Sequence, residues 1–248
     1  MSLAYRVIAR LDVKGPNLIK GVQFEGLRVL GDPAQFAQRY AEEGADEILY
    51  VDTVASLYGR ENIAAIVERT AQAVFVPICV AGGVREPGDV RRLLRAGADK
   101  VALNSAAIRD PSLIGRCAEY YGSQAICVSV EAKRVGPDAW EAYTDGGREK
   151  TGRCAKAWIF EACRRGAGEI LLTSIDRDGT RRGADLELAA GLDVPVPVIL
   201  AGGIGTPEQA VEAAGRADAI AIGAALHNGK TSISAVKAAL AGAGKVVR

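Results

Sequence analysis

The stretch Pro77-Ile78-Cys79-Val80-Ala81-Gly82-Gly83 returns 120 residues later as Pro197-Val198-Ile199-Leu200-Ala201-Gly202-Gly203, and the fold follows from that echo. Outward from it, three further pairs keep the same order. Leu11-Asp12-Val13-Lys14 is answered by Val130-Glu131-Ala132-Lys133, and Ala98-Asp99-Lys100-Val101-Ala102 by Ala217-Asp218-Ala219-Ile220-Ala221. Gly44-Ala45-Asp46-Glu47-Ile48-Leu49 is answered by Gly166-Ala167-Gly168-Glu169-Ile170-Leu171. Spacings of 119 to 122 residues divide the chain into two halves of four matching units. Eight short β-rich runs (7–11, 48–52, 78–81, 100–103, 125–131, 169–174, 198–200 and 219–222) are each followed by a helix-length segment. That alternation calls for a parallel sheet, and eight strands close a barrel. The expected fold is therefore of the α/β class: a single (β/α)8 TIM barrel built from two duplicated half-barrels, one domain over residues 1–248.

The helix signals agree. Asp32-Pro33 opens a helix that runs to Glu43, and Asp110-Pro111 opens another ending near Tyr120, each with proline at the first helical position. Glu42-Glu43-Gly44-Ala45-Asp46, Arg95-Ala96-Gly97-Ala98-Asp99 and Arg164-Arg165-Gly166-Ala167-Gly168 each set a glycine where a helix stops before the next strand. The connections 14–31 and 135–152 are too long for plain turns. They follow the runs carrying Asp12 and Glu131, and loops of this length in compact folds are usually lids or binding loops.

An apolar fraction of 49%, 25% charged residues and a net charge of +1 describe a soluble globular protein, without the basic excess that nucleic acid or an anionic membrane favours. No apolar run approaches the ~20 residues needed to span a bilayer, and the start, with Arg6 and Arg10 flanking a short apolar stretch, lacks a signal-peptide cleavage pattern. The expectation is a cytoplasmic protein with neither nucleic-acid nor membrane partner. The cysteines (Cys79, Cys117, Cys127, Cys154, Cys163) form no CxxC pair and read as buried thiols, and the single histidine, His227, falls in a polar stretch and is expected to be exposed. One histidine excludes a His-rich metal cluster and argues against a Ser-His-Asp triad. No metal or cofactor is called for, so acid–base work falls to carboxylates, lysines or the backbone.

Asp12 and Glu131 end the first and fifth runs, on opposite sides of an eight-stranded barrel, where an acid and a base could work on one substrate between them. Gly82-Gly83 and Gly202-Gly203 let backbone N–H groups approach a phosphate. The runs beside them lead into Asn104-Ser105-Ala106-Ala107 and Gly223-Ala224-Ala225, small residues opening a helix whose positive end favours an anion. Two such sites imply a ligand with a phosphate at each end. Thr173, Ser174, Asp176 and Asp178, mirrored by Asp52-Thr53-Val54-Ala55-Ser56, could hold its middle, although isolated loop residues of this kind more often cap helices and make Asx-turns. At the opposite end Arg6, Glu47, Lys100 and Glu169 begin the first, second, fourth and sixth runs. Pointing inward, they would form a charged ring across the barrel floor, and a salt-bridge network serving stability alone would explain them equally.

These residues resemble the cyclase subunit of imidazole glycerol phosphate synthase, over essentially the whole chain. The most specific matches are Leu11-Asp12-Val13-Lys14, Gly31-Asp32-Pro33, Gly97-Ala98-Asp99-Lys100-Val101, Ala132-Lys133-Arg134-Val135 and residues 166–180. The resemblance implies a (β/α)8 barrel that receives ammonia from a glutaminase subunit docked at its N-terminal face. The ammonia passes through the barrel to a bisphosphorylated ribulosyl-formimino intermediate, and cleavage with ring closure yields imidazole glycerol phosphate and an aminoimidazole carboxamide ribonucleotide. It implies Asp12 as a catalytic carboxylate, Gly82, Gly83, Asn104, Ser105, Gly202, Gly203 and Ala224 around the phosphates, and Arg6, Glu47, Lys100 and Glu169 as an ammonia gate. Three positions depart from that family. Glu131 stands for its second catalytic aspartate, Ala81 for the first glycine of a triple-glycine turn, and Arg10 for a small residue. Strand alternation puts Arg10 on the face of Asp12, where its buried guanidinium needs Asp12 or Glu131 as partner, lowers that carboxylate's pKa and could obstruct an ammonia path. Arg10 and Glu131 favour a second reading, a paralogous barrel that accepts ammonia for sugar amidation in a surface-glycan pathway. The isomerase of the same pathway fits residues 173–180 less well, and a non-catalytic ammonia conduit would have no need of two phosphate loops.

Overall fold

Strict alternation along β1 (Arg6–Lys14) turns Ile8, Arg10 and Asp12 to one side and Val7, Ala9, Leu11 and Val13 to the other, and all seven are buried. A strand buried on both faces belongs inside a sheet covered by helices. The structure, a computed structural model, describes residues 4–53 and 62–248. Val54, Ala55 and Ser56, expected to help hold the ligand's middle, lie outside the described residues.

Among the described residues eight strands run parallel and close on themselves. β1 pairs with β4 (Glu47–Asp52), followed in order by β5 (Ile78–Ala81), β6 (Lys100–Leu103), β7 (Ile126–Gly136), β10 (Glu169–Ser174), β11 (Val198–Ala201) and β12 (Ala219–Ile222), which pairs back with β1. This is the expected (β/α)8 barrel. The two long connections are not loops. β1 runs on past the barrel and pairs antiparallel with β2 (Asn17–Val22), which pairs with β3 (Glu25–Gly31). β7 does the same with β8 (Ala139–Thr144) and β9 (Glu149–Cys154). Tight turns made of residues at positive φ allow it: Gly15 between β1 and β2, and Asp145, Gly146 and Gly147 between β8 and β9. Each half of the barrel thus carries a three-stranded flap over its first strand.

Among the described residues the helices are α1 (Pro33–Glu42), α2 (Asn62–Ala71), α3 (Pro87–Arg95), α4 (Ser105–Arg109), α5 (Ser112–Tyr121), α6 (Ala155–Arg164), α7 (Leu186–Ala189), α8 (Pro207–Ala214), α9 (Ala224–His227) and α10 (Ile233–Gly242). Asp32 caps α1 as expected, its carboxylate accepting from the N–H groups of Ala34 and Gln35. At α5 the proline sits one place earlier than expected. Pro111 is the cap residue, and the Asp110 carboxylate accepts from the Ser112 N–H.

The recurring helix-stop motif has a structural reason. Gly44, Gly97 and Gly166 all take positive φ, and the alanine after each donates its N–H to a carbonyl five residues back. The next residue (Asp46, Asp99, Gly168 or Asp218) donates to the first or second residue of the preceding barrel strand. The three aspartates then accept that strand residue's N–H on their carboxylates, from Val7, Ile78 and Val198. The fourth copy has Gly168 because a Cβ there would lie 2.0 Å from the Ser123 carbonyl oxygen.

Apolar packing forms two layers. Ile8, Leu49, Cys79, Cys127, Leu171 and Ile199 fill the barrel interior, and a larger set, including Tyr50, Val128 and Trp158, packs the strands against the helices. The cysteines divide. Cys79, Cys117 and Cys127 are buried as expected, whereas Cys154 is exposed and Cys163 half-buried, because they lie at the end of the outer strand β9 and on the outer helix α6. No helix among the described residues is long and apolar enough to cross a membrane.

Replacing Ile8 by Ala opens a void inside the barrel that its neighbours cannot collapse into, and is expected to cost ~2–5 kcal/mol, read as a lower urea midpoint.

Candidate active site

The barrel interior has a charged layer at each end of the apolar one. At the N-terminal ends of the strands the Arg6 guanidinium bonds Glu47 at 2.9 Å and Glu169 at 2.5 Å, and the Lys100 ammonium bonds the same two carboxylates at 2.7 and 2.5 Å. Cation and anion alternate round a closed ring, so the four residues expected there do come together. Burial opposes the charge on Lys100, yet Glu47 and then Cys79 and Glu169 outweigh it and raise its pKa. Burial also pushes the Glu47 carboxyl up, with Lys100 pulling the other way.

At the C-terminal ends Asp12 and Glu131 face a cleft of about 980 Å³ including its open mouth. Each is reached by the flap that follows its own strand. From β2, Lys20 bonds Asp12 at 2.5 Å and also reaches Asp178 at 3.1 Å. From the β8–β9 turn, the Gly147 N–H donates to Glu131 at 2.8 Å. Arg10 then completes the asymmetry. Its Nε donates to Asp12 at 2.8 Å, its Nη1 to the Thr173 hydroxyl at 3.2 Å, and the Phe24 ring lies 5.6 Å away. Asp12, not Glu131, is thus the carboxylate that Arg10 pairs with.

Two cations on one carboxylate and none bonded to the other split their acidities. Burial alone would push Asp12 up, but Arg10 and Lys20 together hold it well below the usual carboxylate range. Burial dominates at Glu131 and pushes it up to about 7, against the opposing pull of Arg10, the Gly147 N–H and the Asn104 side chain. Near neutrality Asp12 is an anion, while Glu131 can carry or give up a proton. Carboxylates set apart in this way are suited to different roles in one reaction.

Both glycine pairs line hollows at the cleft. Gly82, Gly83, Asn104 and Ser105 line the main cleft, and Gly202, Gly203, Gly223 and Ala224 a second hollow of about 280 Å³. The glycines are required by close approach. A Cβ on Gly82 would lie 2.6 Å from the Asp52 carbonyl oxygen, and one on Gly202 2.7 Å from that of Ser174. Asn104 and Gly223, before α4 and α9, share an unusual backbone with φ −132°, ψ −93° and φ −122°, ψ −80°, so the duplication persists to single dihedrals.

The structure corrects two expectations. Ser174 does not reach the ligand space: it falls on the outward face of β10, fully buried, beside Asp185 at 3.5 Å. His227 is not exposed. Its ring packs edge-on to Phe36 and tilted against Tyr40, Nδ1 lies 2.7 Å from the Tyr40 hydroxyl, and burial lowers its pKa to about 4. A helix of four residues, α9, folds the apparently polar stretch back against α1. Lys20, Phe24, Arg109 and Arg148 also line the cleft and were not singled out in the sequence. Only the pairing of β2 with β1, Asp12 opposite Ile19, brings Lys20 within reach.

A family model described as histidine biosynthesis protein matches residues 6–232. The imidazole glycerol phosphate synthase subunit HisF of Legionella pneumophila is 55% identical over 206 residues, 82% of this chain and 97% of the relative. The subunit of the same name from Myxococcus xanthus is 50% identical over 99% of this chain and 98% of its own length.

Replacing Lys100 by Met leaves Glu47 and Glu169 with Arg6 alone. Breaking a buried ion network in this way is expected to cost ~3–5 kcal/mol, seen as a drop in denaturation midpoint.

Proposed function

The chain belongs to the histidine biosynthesis protein family, and from that premise we propose that it is the cyclase subunit of imidazole glycerol phosphate synthase, a lyase. Its substrate is the bisphosphorylated ribulosyl-formimino intermediate, and its products are imidazole glycerol phosphate and an aminoimidazole carboxamide ribonucleotide. The observation that carries this reading is the cleft itself: two carboxylates of opposed acidity between two glycine-lined hollows related by the duplication. The surface-glycan paralogue, the isomerase and the conduit are set aside, since both named relatives are imidazole glycerol phosphate synthase subunits HisF, matched along nearly their whole length.

In this reading each half-barrel holds one phosphate, Gly82, Gly83, Asn104 and Ser105 on one side and Gly202, Gly203, Gly223 and Ala224 on the other. Thr173 and Asp178 line the space between. Asp12, kept anionic by Arg10 and Lys20, stabilises the positive charge that develops on nitrogen as ammonia attacks the ketose carbonyl. Glu131, protonated up to about pH 7, gives its proton to the oxygen that leaves that carbon. Its longer side chain is accommodated by the β8–β9 flap, whose Gly147 N–H meets the carboxylate. Ammonia comes from a glutaminase subunit at the N-terminal face, and the ring of Arg6, Glu47, Lys100 and Glu169 is its gate. That ring spans the barrel floor, and Arg6 is its most exposed member, with 28% of its side chain accessible.

Turnover of the intermediate by the purified chain with an ammonium salt, followed by its ultraviolet absorbance, tests the assignment, and no turnover by a folded chain refutes it. Asp12→Asn, which keeps the side chain's size and an acceptor oxygen, is expected to remain folded, though less stable, and lose turnover by at least ~100-fold. The proton on Glu131 gives a second test. At a fixed concentration of unprotonated ammonia, kcat should fall as pH rises through about 7. A flat or rising profile across that range would remove Glu131 as the acid.

A further inference from the structure

The two hollows of the site share a floor. Arg10 and Asp178 line both the cleft of Gly82 and Gly83 and the hollow of Gly202 and Gly203. A single ligand with a phosphate in each must therefore pass across them, whatever its chemistry in between. Of that pair, Asp178 is already engaged by Lys20 through both carboxylate oxygens, at 3.1 and 3.2 Å.

Arg10 is engaged at two of its three nitrogens. Nε holds Asp12 and Nη1 holds Thr173, while Nη2 makes no hydrogen bond with any described residue. Arg10 as a residue is only 3% exposed, and it lines both the cleft and the hollow. A charged donor with an unfilled hydrogen-bonding direction beside a cleft is well placed to take an acceptor from a ligand. The plane is also fixed in advance. Asp12 and Thr173 hold Nε and Nη1 and Phe24 lies at the guanidinium, so little side-chain freedom is lost when Nη2 binds. Space is left for a ligand, because the floor residues beside Arg10 are small: Ala81, Ala102 and Ser129 in the cleft and Ala221 in the hollow.

We propose that Arg10 is a substrate-binding residue: its unbonded Nη2 donates to an oxygen in the middle of the bisphosphorylated substrate, carbonyl or hydroxyl, where the chain joining the two phosphates crosses the barrel axis. This deepens the cyclase reading and rests on it. It gives Arg10 two roles through one rigid group, keeping Asp12 anionic through Nε and registering the substrate beside Asp12 and Glu131 through Nη2. A residue that merely blocked the barrel or merely paired with Asp12 would have no effect on affinity for the ligand's middle.

The test is calorimetric binding of the ribulosyl-formimino intermediate, without ammonia, to the unaltered chain and to Arg10→Met and Arg10→Lys. Met fills much of the same space and leaves Asp12 its bond to Lys20, and Lys keeps the charge should the Met variant fold poorly. Loss of a charged donor predicts a Kd raised by about 10- to 100-fold in Arg10→Met, and by a smaller factor in Arg10→Lys, whose point charge cannot serve Asp12, Thr173 and the ligand together. Inorganic phosphate, which engages only the glycine cradles, should bind the Met variant as it binds the unaltered chain. If either folded variant binds the intermediate as tightly as the unaltered chain, or if phosphate affinity falls in step, the proposal is overturned. A gain in ammonia-dependent turnover at unchanged Kd would overturn it too, making Arg10 an obstruction instead. Failure of the cyclase reading looks different: the unaltered chain binds the intermediate but does not convert it when ammonium is added.

Discussion

Every charge turned into the barrel needs a partner, and that constraint organises the molecule. Moving an ion from water into a packed interior costs several kcal/mol unless opposite charge and hydrogen bonds meet it there. The protein meets the constraint twice, at the two ends of one apolar layer. At the floor, two cations and two carboxylates satisfy one another in a closed ring. At the mouth, Arg10 and Lys20 share Asp12, and Lys20 also takes Asp178. Glu131 receives a backbone N–H in place of a cation. The floor charges are paired among themselves, while at the mouth Glu131 is left without a bonded cation, which is where proton chemistry can occur.

Duplication supplies the symmetry, and a few side chains break it. Both halves send a three-stranded flap over their first strand, and each flap returns one group to the carboxylate beneath it. In the first half that group is an ammonium, in the second a peptide N–H. The same backbone therefore builds two different acids, one pinned as an anion and one raised to about 7 by burial. The glycine-lined hollows, by contrast, stay symmetric down to the matched backbone of Asn104 and Gly223. Gly168 shows the limit of the repeat: where the other copies place an aspartate, the Ser123 carbonyl occupies the space.

The departures from the resembled family are local and mutually consistent. The guanidinium of Arg10 satisfies its charge on Asp12 and adds Thr173 as acceptor, so no new carboxylate is needed. Glu131, longer than aspartate by one methylene, meets Gly147 from the flap and is approached by Asn104. Around them the floor residues are small, which lets a large side chain on β1 lie across the barrel without displacing its neighbours.

The sequence by itself determined the barrel, because strand alternation, helix-stop glycines and a repeat of about 120 residues are local signals read in order along the chain. It also placed Asp12, Glu131, the glycine pairs and the four floor charges, since symmetry-matched positions at strand ends leave little choice of direction. What it left open depends on contacts between segments far apart. The flaps looked like loops because an antiparallel extension is specified by its partner strand and not by its own composition. Lys20 reaches Asp12 only through that pairing. His227 and Ser174 went to unexpected places for the same reason: a four-residue helix turned one inward, and the outer face of a strand hid the other. Only the tertiary structure decided which carboxylate Arg10 pairs with and hence how the two acidities divide, because a pKa is set by neighbours in space, and burial and charge at a site are properties of the folded chain.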